Sequence, residues 1–228
     1  MTDLRDLPAP AAVIFDLDGT LVDTVKTRIN AWLTTFDEDG IPADRGQVAS
    51  LIGADGKKLA REVAERAGRR LSDADADRID KRAGAIYDEL NTHPKPTAGA
   101  HSLLVAIEHS SLAWAIATSS LPEQTVVSID ALDLPQKPLL VDGSHVKHAK
   151  PAPDLLLQAA QKLKTAPAEC WYVGDSVWDM SAARSAGMIA VGVAYGAATE
   201  QDLLAAGAGA VTNLANVETE LRQRVLLE

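Results

Sequence analysis

The decapeptide AAVIFDLDGT at residues 11–20 decides the fold, because a continuous apolar run gives way abruptly to acidic and turn-forming residues. An apolar run such as residues 11–15 is typical of a strand buried on both faces of a parallel sheet. Asp16 and Asp18 follow the strand directly, where the ligand crevice of an open α/β sheet lies. Taken alone, Asp18-Gly19 is also compatible with an ordinary turn that closes a strand. We therefore predict a central strand with two candidate site carboxylates at its carboxyl end.

Four further apolar runs repeat this pattern along the chain. They cover residues 113–117, 139–141, 171–173 and 189–193. Helical segments separate most of them, for example at 122–132 and 153–163, each with a proline at or near its first turn. Alternating strands and helices indicate a mostly parallel sheet covered by helices on both faces. The predicted fold class is α/β, with a Rossmann-like, doubly wound parallel sheet as its core.

A long segment after the first strand shows no strand pattern and instead repeats the period of an amphipathic helix. Its first helix carries one apolar face, formed by Val25, Ile29, Trp32, Leu33 and Phe36. A second helix is predicted over 57–67, and a third opens with a capping box at 72–75. The apolar positions of the third helix are Ile79, Ala83, Ile86 and Leu90. We therefore predict two domains, an α/β core of residues 1–21 and 97–228 and a small, inserted, all-helical domain of residues 22–96.

Composition excludes several classes of function. The chain has 228 residues, 46% of them hydrophobic and 24% charged, and its formal net charge is 22 − 32 = −10. An acidic chain without a lysine and arginine cluster offers no electrostatic footprint for nucleic acid or for an anionic membrane, so neither partner is expected. A single cysteine, Cys170, and a polar, acidic first ten residues fit a soluble cytoplasmic protein.

Polar residues follow the later strands in the same way. Thr118 and Ser119 offer hydroxyl and backbone N–H donors for phosphoryl oxygens, although a helix cap would use the same residue types. Lys150 precedes a proline-rich loop and could neutralise developing negative charge, whereas a lone lysine is more often solvated. Asp175 and Asp179 lie one helical turn apart after a strand, so both can face the crevice, and Asp175 could also serve only as a helix cap.

Together these motifs resemble the haloacid dehalogenase-like hydrolases. The resemblance is to the branch that carries a helical cap after the first strand and includes phosphoglycolate phosphatases and β-phosphoglucomutases. The motifs are D-L-D-G-T at 16–20, A-T-S-S at 117–120, K-P-A-P-D at 150–154 and G-D-S-V-W-D at 174–179. They occur in the family's order and span nearly the whole chain.

The resemblance implies a phosphoric monoester hydrolase with a defined set of roles. Asp16 would be the nucleophile that forms an aspartyl-phosphate, and Asp18 would be the general acid and base. Mg²⁺ would be bound by the Asp16 carboxylate, the Asp18 backbone carbonyl and Asp175, while Asp179 would hold a ligand water or orient the lysine. The residues that the family pattern places around the phosphoryl oxygens are Thr118, Ser119 and Lys150.

The inserted helices are expected to determine the substrate, a small phosphate ester that resembles phosphoglycolate or is a sugar phosphate. Gly53, Lys57, Lys58 and Arg28 are the candidate contacts, although a flexible loop with solvated lysines would have the same composition. The mutases of this branch carry a histidine early in the first inserted helix, and Arg28 stands at the corresponding position, which favours water as the final acceptor. A phosphomutase and a non-catalytic binding protein are the alternatives. A monomer or weak homodimer is expected.

Overall fold

The sheet places its central strand where the sequence predicts it. In the computed structural model, which describes residues 3–224, 226 and 227, the described part of the chain forms one sheet of six strands. The strands are β1 (Ala12–Phe15), β2 (Ala113–Ala117), β3 (Leu140–Val141), β4 (Cys170–Gly174), β5 (Ile189–Val193) and β6 (Ala210–Thr212). All pairs are parallel, and the spatial order is β3-β2-β1-β4-β5-β6. The order reverses between β1 and β4, the switch point at which doubly wound sheets bind their ligands.

Helices cover both faces of this sheet. The α-helices of the described part of the chain are α1 (Val25–Glu38), α2 (Arg45–Ala49), α3 (Gly56–Arg66), α4 (Asp73–Leu90), α5 (Ala100–Glu108), α6 (Pro122–Ala131), α7 (Asp154–Leu163), α8 (Val177–Ala186), α9 (Glu200–Ala206) and α10 (Leu214–Gln223), of which the first four form the inserted segment. Helices α5 and α10 pack on one face, and α7, α8 and α9 pack on the other. The predicted doubly wound α/β fold is confirmed. None of the helices in the described part of the chain has the length and apolar character that a membrane span requires.

Helices α1 to α4, which we call the helical insert, have a hydrophobic core of their own. Trp32, Phe36 and Ile79 are among the residues buried in it. The segments that lead into and out of the insert run side by side, since Val22 pairs with Pro96. The domain boundaries at 22 and 96 remain predictions, and the outermost residues of the predicted core, Met1, Thr2 and Glu228, lie outside the described residues, as does Val225.

Two details of the predicted elements differ in the structure. The expectation that Leu90 faces the core is wrong, because this residue ends α4 and is 50% exposed. In the last turn of α4, the residue that faces the interior is instead Tyr87, which is fully buried. Strand β6 was not expected, because its sequence, Ala-Val-Thr, is not a continuous apolar run of the kind that marks the other strands.

Candidate active site

The loop after β1 brings two carboxylates to the switch point. Asp16 is buried and Asp18 is partly buried. Gly19 follows with a φ of 89°, a left-handed conformation that favours glycine. A Cβ atom at Gly19 would lie 2.7 Å from a Val25 methyl and 2.8 Å from the carboxyl carbon of Asp175. The tight approach of this loop to the neighbouring strand end therefore depends on glycine.

Lys150 is buried between two of the site carboxylates. Its side chain is 2% exposed, and its Nζ donates to Oδ1 of Asp16 and, at 2.8 Å, to Oδ1 of Asp179. Ser176 holds Asp179 from the other side, with its backbone N–H and its hydroxyl both donating to Oδ2, at 2.9 and 2.6 Å. The predicted orientation of Lys150 by Asp179 is thus present as a direct hydrogen bond.

Asp175 completes a cluster of buried carboxylates. Carboxylate oxygens of Asp16, Asp175 and Asp179 all lie within 4.8 Å of one another. Asp175 accepts hydrogen bonds from the Thr20 hydroxyl at 3.0 Å and from the Ala197 N–H at 2.6 Å. Burial, partly offset by Lys150, raises the pKa of Asp16 to about 7, and burial together with the neighbouring carboxylates raises the pKa of Asp175 well above its ordinary value. Three carboxyl groups share the cluster with one ammonium group, so in their ionised forms they carry more negative charge than Lys150 balances.

These residues fit a divalent cation. Within the described part of the chain, no lysine or arginine pairs with Asp175. Hard oxygen ligands of this kind are those that Mg²⁺ prefers. A bound cation would favour the ionised forms of Asp16 and Asp175, whose pKa values burial and the neighbouring carboxylates raise.

We expect Mg²⁺ to stabilise the folded protein through this cluster. A cation that binds only the folded state, at about 100 times its dissociation constant, should raise the melting temperature by roughly 5 °C. Thermal unfolding with and without Mg²⁺ measures this shift. Asp175→Asn should abolish it, whereas Asp23→Asn, which changes an exposed aspartate outside the cluster, should keep it. An equal shift in Asp175→Asn would contradict the assigned ligand.

Four hydrogen-bond donors surround the Asp18 carboxylate. Oδ1 accepts from the Thr24 hydroxyl at 2.8 Å and from the Tyr87 hydroxyl at 2.9 Å. Oδ2 accepts from the Ser120 hydroxyl at 2.6 Å and from the Arg28 guanidinium at 3.2 Å. Burial alone would raise the pKa of Asp18, but the charge of Arg28 and these hydrogen bonds outweigh it and lower that pKa. Asp18 is therefore held as a carboxylate in this structure.

Hydroxyl groups after β2 line the same crevice. Thr118 is buried, and its Oγ1 accepts a hydrogen bond from the backbone N–H of Ser120 at 3.1 Å. The Ser119 hydroxyl is buried and, among the described residues, has no hydrogen-bond partner. An unpaired buried hydroxyl is costly unless a ligand satisfies it. Ser119 thus offers a free donor next to the carboxylates.

A cavity of about 530 Å³ joins these groups to the helical insert. Of the four predicted substrate contacts, Gly53, Lys57 and Arg28 line it and Lys58 does not. Lys57 forms an ion pair with Asp77, because its Nζ lies 2.7 Å from a carboxylate oxygen of that residue. Lys58 instead places its ammonium 4.4 Å from the centroid of the Trp178 ring.

Three of the four donors to Asp18, Thr24, Tyr87 and Ser120, are residues that sequence reasoning missed, and it assigned the fourth, Arg28, to the substrate. Ser120 belongs to the motif A-T-S-S, so its position next to Thr118 and Ser119 was a usable signal. Tyr87 had no such signal, because nothing in an amphipathic helix pattern shows that one of its aromatic residues donates to an aspartate 69 positions away.

The fold and the site together define an enzyme of the α/β class. Carboxylates and a buried lysine converge at the switch point of a doubly wound sheet, beneath a helical insert. Residues 13–193 match the family of haloacid dehalogenase-like hydrolases, and the chain belongs to this family. The resemblance seen in the four motifs is confirmed.

Several known proteins are similar over most of their length. The β-phosphoglucomutase of Bacillus subtilis (strain 168) is 30% identical over 190 residues, which cover 81% of this chain and 84% of that protein. The fructose-1-phosphate phosphatase of Escherichia coli (strain K12) is 31% identical over 189 residues, covering 80% and 96%. The crystal structure of a hydrolase from Pseudomonas syringae is 31% identical with a TM-score of 0.87, covering 94% of this chain and 98% of that chain. The family and the phosphatase relative confirm the predicted class, a phosphoric monoester hydrolase, while the β-phosphoglucomutase belongs to the same family with a different reaction.

Proposed function

We propose that this protein is a Mg²⁺-dependent phosphatase of small phosphate esters that works through an aspartyl-phosphate on Asp16. The observation that carries the proposal is the convergence of Asp16, Asp18 and Lys150 at one end of the cavity, with the Asp175 carboxylate within 4.8 Å of that of Asp16. The similarity to a sugar-phosphate phosphatase and to a phosphomutase supports phosphoryl chemistry. When bound by Asp16 and Asp175, Mg²⁺ would supply positive charge against the phosphoryl oxygens.

In the first step, a carboxylate oxygen of Asp16 attacks phosphorus, and the bond between phosphorus and the ester oxygen breaks. Asp18 gives its proton to the departing oxygen. Lys150 and Ser119 stabilise the phosphoryl oxygens, since one provides a fixed charge and the other a free hydroxyl. Because Asp18 is a carboxylate in this structure, a proton must reach it with the substrate or from solvent before this step.

In the second step, Asp18 takes a proton from water, whose oxygen attacks phosphorus and releases phosphate from Asp16. Splitting one displacement into two lowers the barrier to each. Water as the acceptor is supported by Arg28, which stands where the mutases of this branch carry a histidine. Its guanidinium is bound to Asp18 and lies 3.7 Å from the centroid of the Tyr87 ring. The mutase alternative, favoured by the mutase relative, requires transfer to a sugar in place of water.

The experiment that tests this proposal is phosphate release from a panel of phosphate esters with Mg²⁺ and with EDTA. We expect turnover with Mg²⁺ and its loss in EDTA, restored by added Mg²⁺. Borohydride reduction during turnover should convert Asp16 to homoserine, because it cleaves an acyl phosphate. Conversion of one sugar phosphate to an isomer without free phosphate would instead identify a mutase. Binding of esters without any turnover would identify a binding protein.

The cavity wall formed by the helical insert favours a hydroxyl-bearing ester over a carboxylated one. Four aspartates line it, Asp55, Asp77, Asp80 and Asp88, against three cationic side chains, Arg28, Lys57 and Lys81, of which Arg28 is bound to Asp18. Both lysines are paired with Asp77, at 2.7 and 2.8 Å. A second carboxylate on the substrate would therefore meet net negative charge, whereas sugar hydroxyls can donate to these oxygens.

We expect kcat/KM for the best sugar phosphate to exceed that for phosphoglycolate by roughly tenfold or more. About 1.4 kcal/mol of repulsion between the phosphoglycolate carboxylate and the cavity wall is enough to produce a tenfold difference. Steady-state rates across the panel measure the ratio. Asp80→Asn should narrow it by removing one wall charge, and Lys58→Met should leave it unchanged because Lys58 lies outside the cavity lining. A preference for phosphoglycolate would contradict this assignment.

The cytoplasmic location and the monomer or weak homodimer remain predictions.

A further inference from the structure

Tyr87, on helix α4, contacts the proposed acid and base without lining the cavity. Its hydroxyl lies 2.9 Å from Oδ1 of Asp18, and its side chain is fully buried. It is not among the residues that face the substrate space. Any effect of Tyr87 on the reaction must therefore pass through its neighbours, Asp18 at its hydroxyl and Arg28, whose guanidinium lies 3.7 Å from the centroid of its ring. A change to phenylalanine keeps the ring beside Arg28 and removes only the hydroxyl that contacts Asp18.

The surroundings of Tyr87 define the direction of this hydrogen bond. Asn91, the residue that follows the last residue of α4, donates its side-chain amide to the Tyr87 oxygen at 3.0 Å and to the Ser128 hydroxyl at 3.4 Å. The phenolic oxygen is thus an acceptor toward Asn91, so its one hydrogen is free to point at Asp18. Ser128 lies on α6, so the chain of hydrogen bonds extends from the core through the helical insert to Asp18.

The donors divide between the two oxygens of Asp18. Tyr87 and Thr24 donate to Oδ1, while Ser120 and Arg28 donate to Oδ2. Without the Tyr87 hydroxyl, Oδ1 would keep a single donor, Thr24, and the carboxylate would be held less firmly in its present plane. Proton transfer depends on the carboxylate oxygen lying within hydrogen-bond reach of the leaving oxygen.

We propose that Tyr87 is a positioning residue that holds the Asp18 carboxylate in the orientation needed for proton transfer. The inference rests on the proposed function, in which Asp18 protonates the leaving oxygen. It also gives the helical insert a role in the chemistry, because α4 carries the hydroxyl that orients a core residue.

The test compares two substrates that differ in their need for an acid. Nitrophenolate leaves p-nitrophenyl phosphate without being protonated. The alkoxide of a sugar phosphate needs a proton in order to leave. We expect Tyr87→Phe to lower kcat/KM roughly tenfold for the sugar phosphate turned over fastest in the panel, and by less than about twofold for p-nitrophenyl phosphate. The ratio kcat/KM reports the steps up to the first irreversible one, so later hydrolysis does not enter it.

Two other variants make the result interpretable. Asp18→Asn should show the same substrate dependence more strongly. Tyr195→Phe is the matched control, since it also removes a phenolic hydroxyl, one that donates to the Thr20 carbonyl at 3.0 Å, and it should not distinguish the two substrates. If Tyr87→Phe does not fold, as judged by thermal unfolding, Asn91→Leu tests the same chain of hydrogen bonds and should shift the ratio in the same direction.

An equal loss on both substrates, or no loss on either, would overturn the positioning role. If Asp18→Asn also failed to distinguish the substrates, the acid role within the proposed function would fall. The two failures are therefore separable, because the first concerns only Tyr87 and the second concerns Asp18.

Discussion

Asp16→Asn is expected to lower turnover of every phosphate ester by at least about 10⁴-fold, as is usual when a nucleophile is removed. An amide nitrogen has no lone pair available for attack on phosphorus, and the replacement also removes one carboxylate from the cluster that would bind Mg²⁺. The residual rate should not recover at higher Mg²⁺ concentration, because the variant lacks the nucleophile even when its metal site is fully occupied. Phosphate release by the purified variant measures the loss.

Asp16→Asn should remain folded, which separates its effect from misfolding. Burial raises the pKa of Asp16 to about 7, so the folded state already disfavours the charged form of this side chain. Lys150 would keep its hydrogen bond to Asp179. Asp23→Asn, the same change at an exposed position, serves as the control and should retain full activity. Activity of Asp16→Asn within tenfold of the wild-type protein would exclude Asp16 as the nucleophile.

Lys150→Met is expected to have the second largest effect, on both turnover and stability. The ammonium lies between two buried carboxylates, and its removal leaves Asp16 and Asp179 without a cation. Breaking a buried pair by deleting one partner typically costs about 3 kcal/mol or more. Turnover should fall by roughly 10³-fold, because a fixed charge against the phosphoryl group is lost. Urea unfolding without Mg²⁺ measures the stability, and phosphate release measures the rate.

The stability loss of Lys150→Met should shrink as the pH falls. In the wild-type protein the folded-state pKa of Asp16 is about 7 against an ordinary value of 3.8, and removing Lys150 removes an influence that lowers it. A carboxyl whose pKa is raised by folding takes up a proton on folding, so the folded state gains stability as pH falls through this window. Lys147→Met, an exposed lysine on the same loop, should show no comparable change. An undiminished stability loss near pH 4 would contradict this account.

Much of the site was predictable because it is encoded locally. Asp16, Asp175 and Thr118 each follow a short apolar strand, and parallel strands present their carboxyl ends at one edge of the sheet. The order of strands brings β1 and β4 together, so residues that are distant along the chain become neighbours. Lys150 does not follow a strand directly and reaches Asp16 from the loop between β3 and α7.

The contacts of the helical insert were less accessible. Lys57 and Lys58 were equivalent candidates in the sequence, yet one pairs with Asp77 inside the cavity and the other lies against Trp178. Adjacent helical positions point about 100° apart, so a small rotation of α3 decides which lysine faces the substrate. The rotation of α3 results from its packing against α4, and the identity of neither lysine determines that packing.

The sequence by itself determined the sheet, the inserted helices and the carboxylates and lysine at the strand ends, since each depends on short-range periodicity or on residues next to a strand. Only the tertiary structure decided which groups hold Asp18 and what charge the substrate meets. Tyr87 reaches Asp18, and Lys57 reaches Asp77, through the docking of separate helices. Such contacts depend on side-chain packing between distant segments, and no local pattern in the chain specifies that packing.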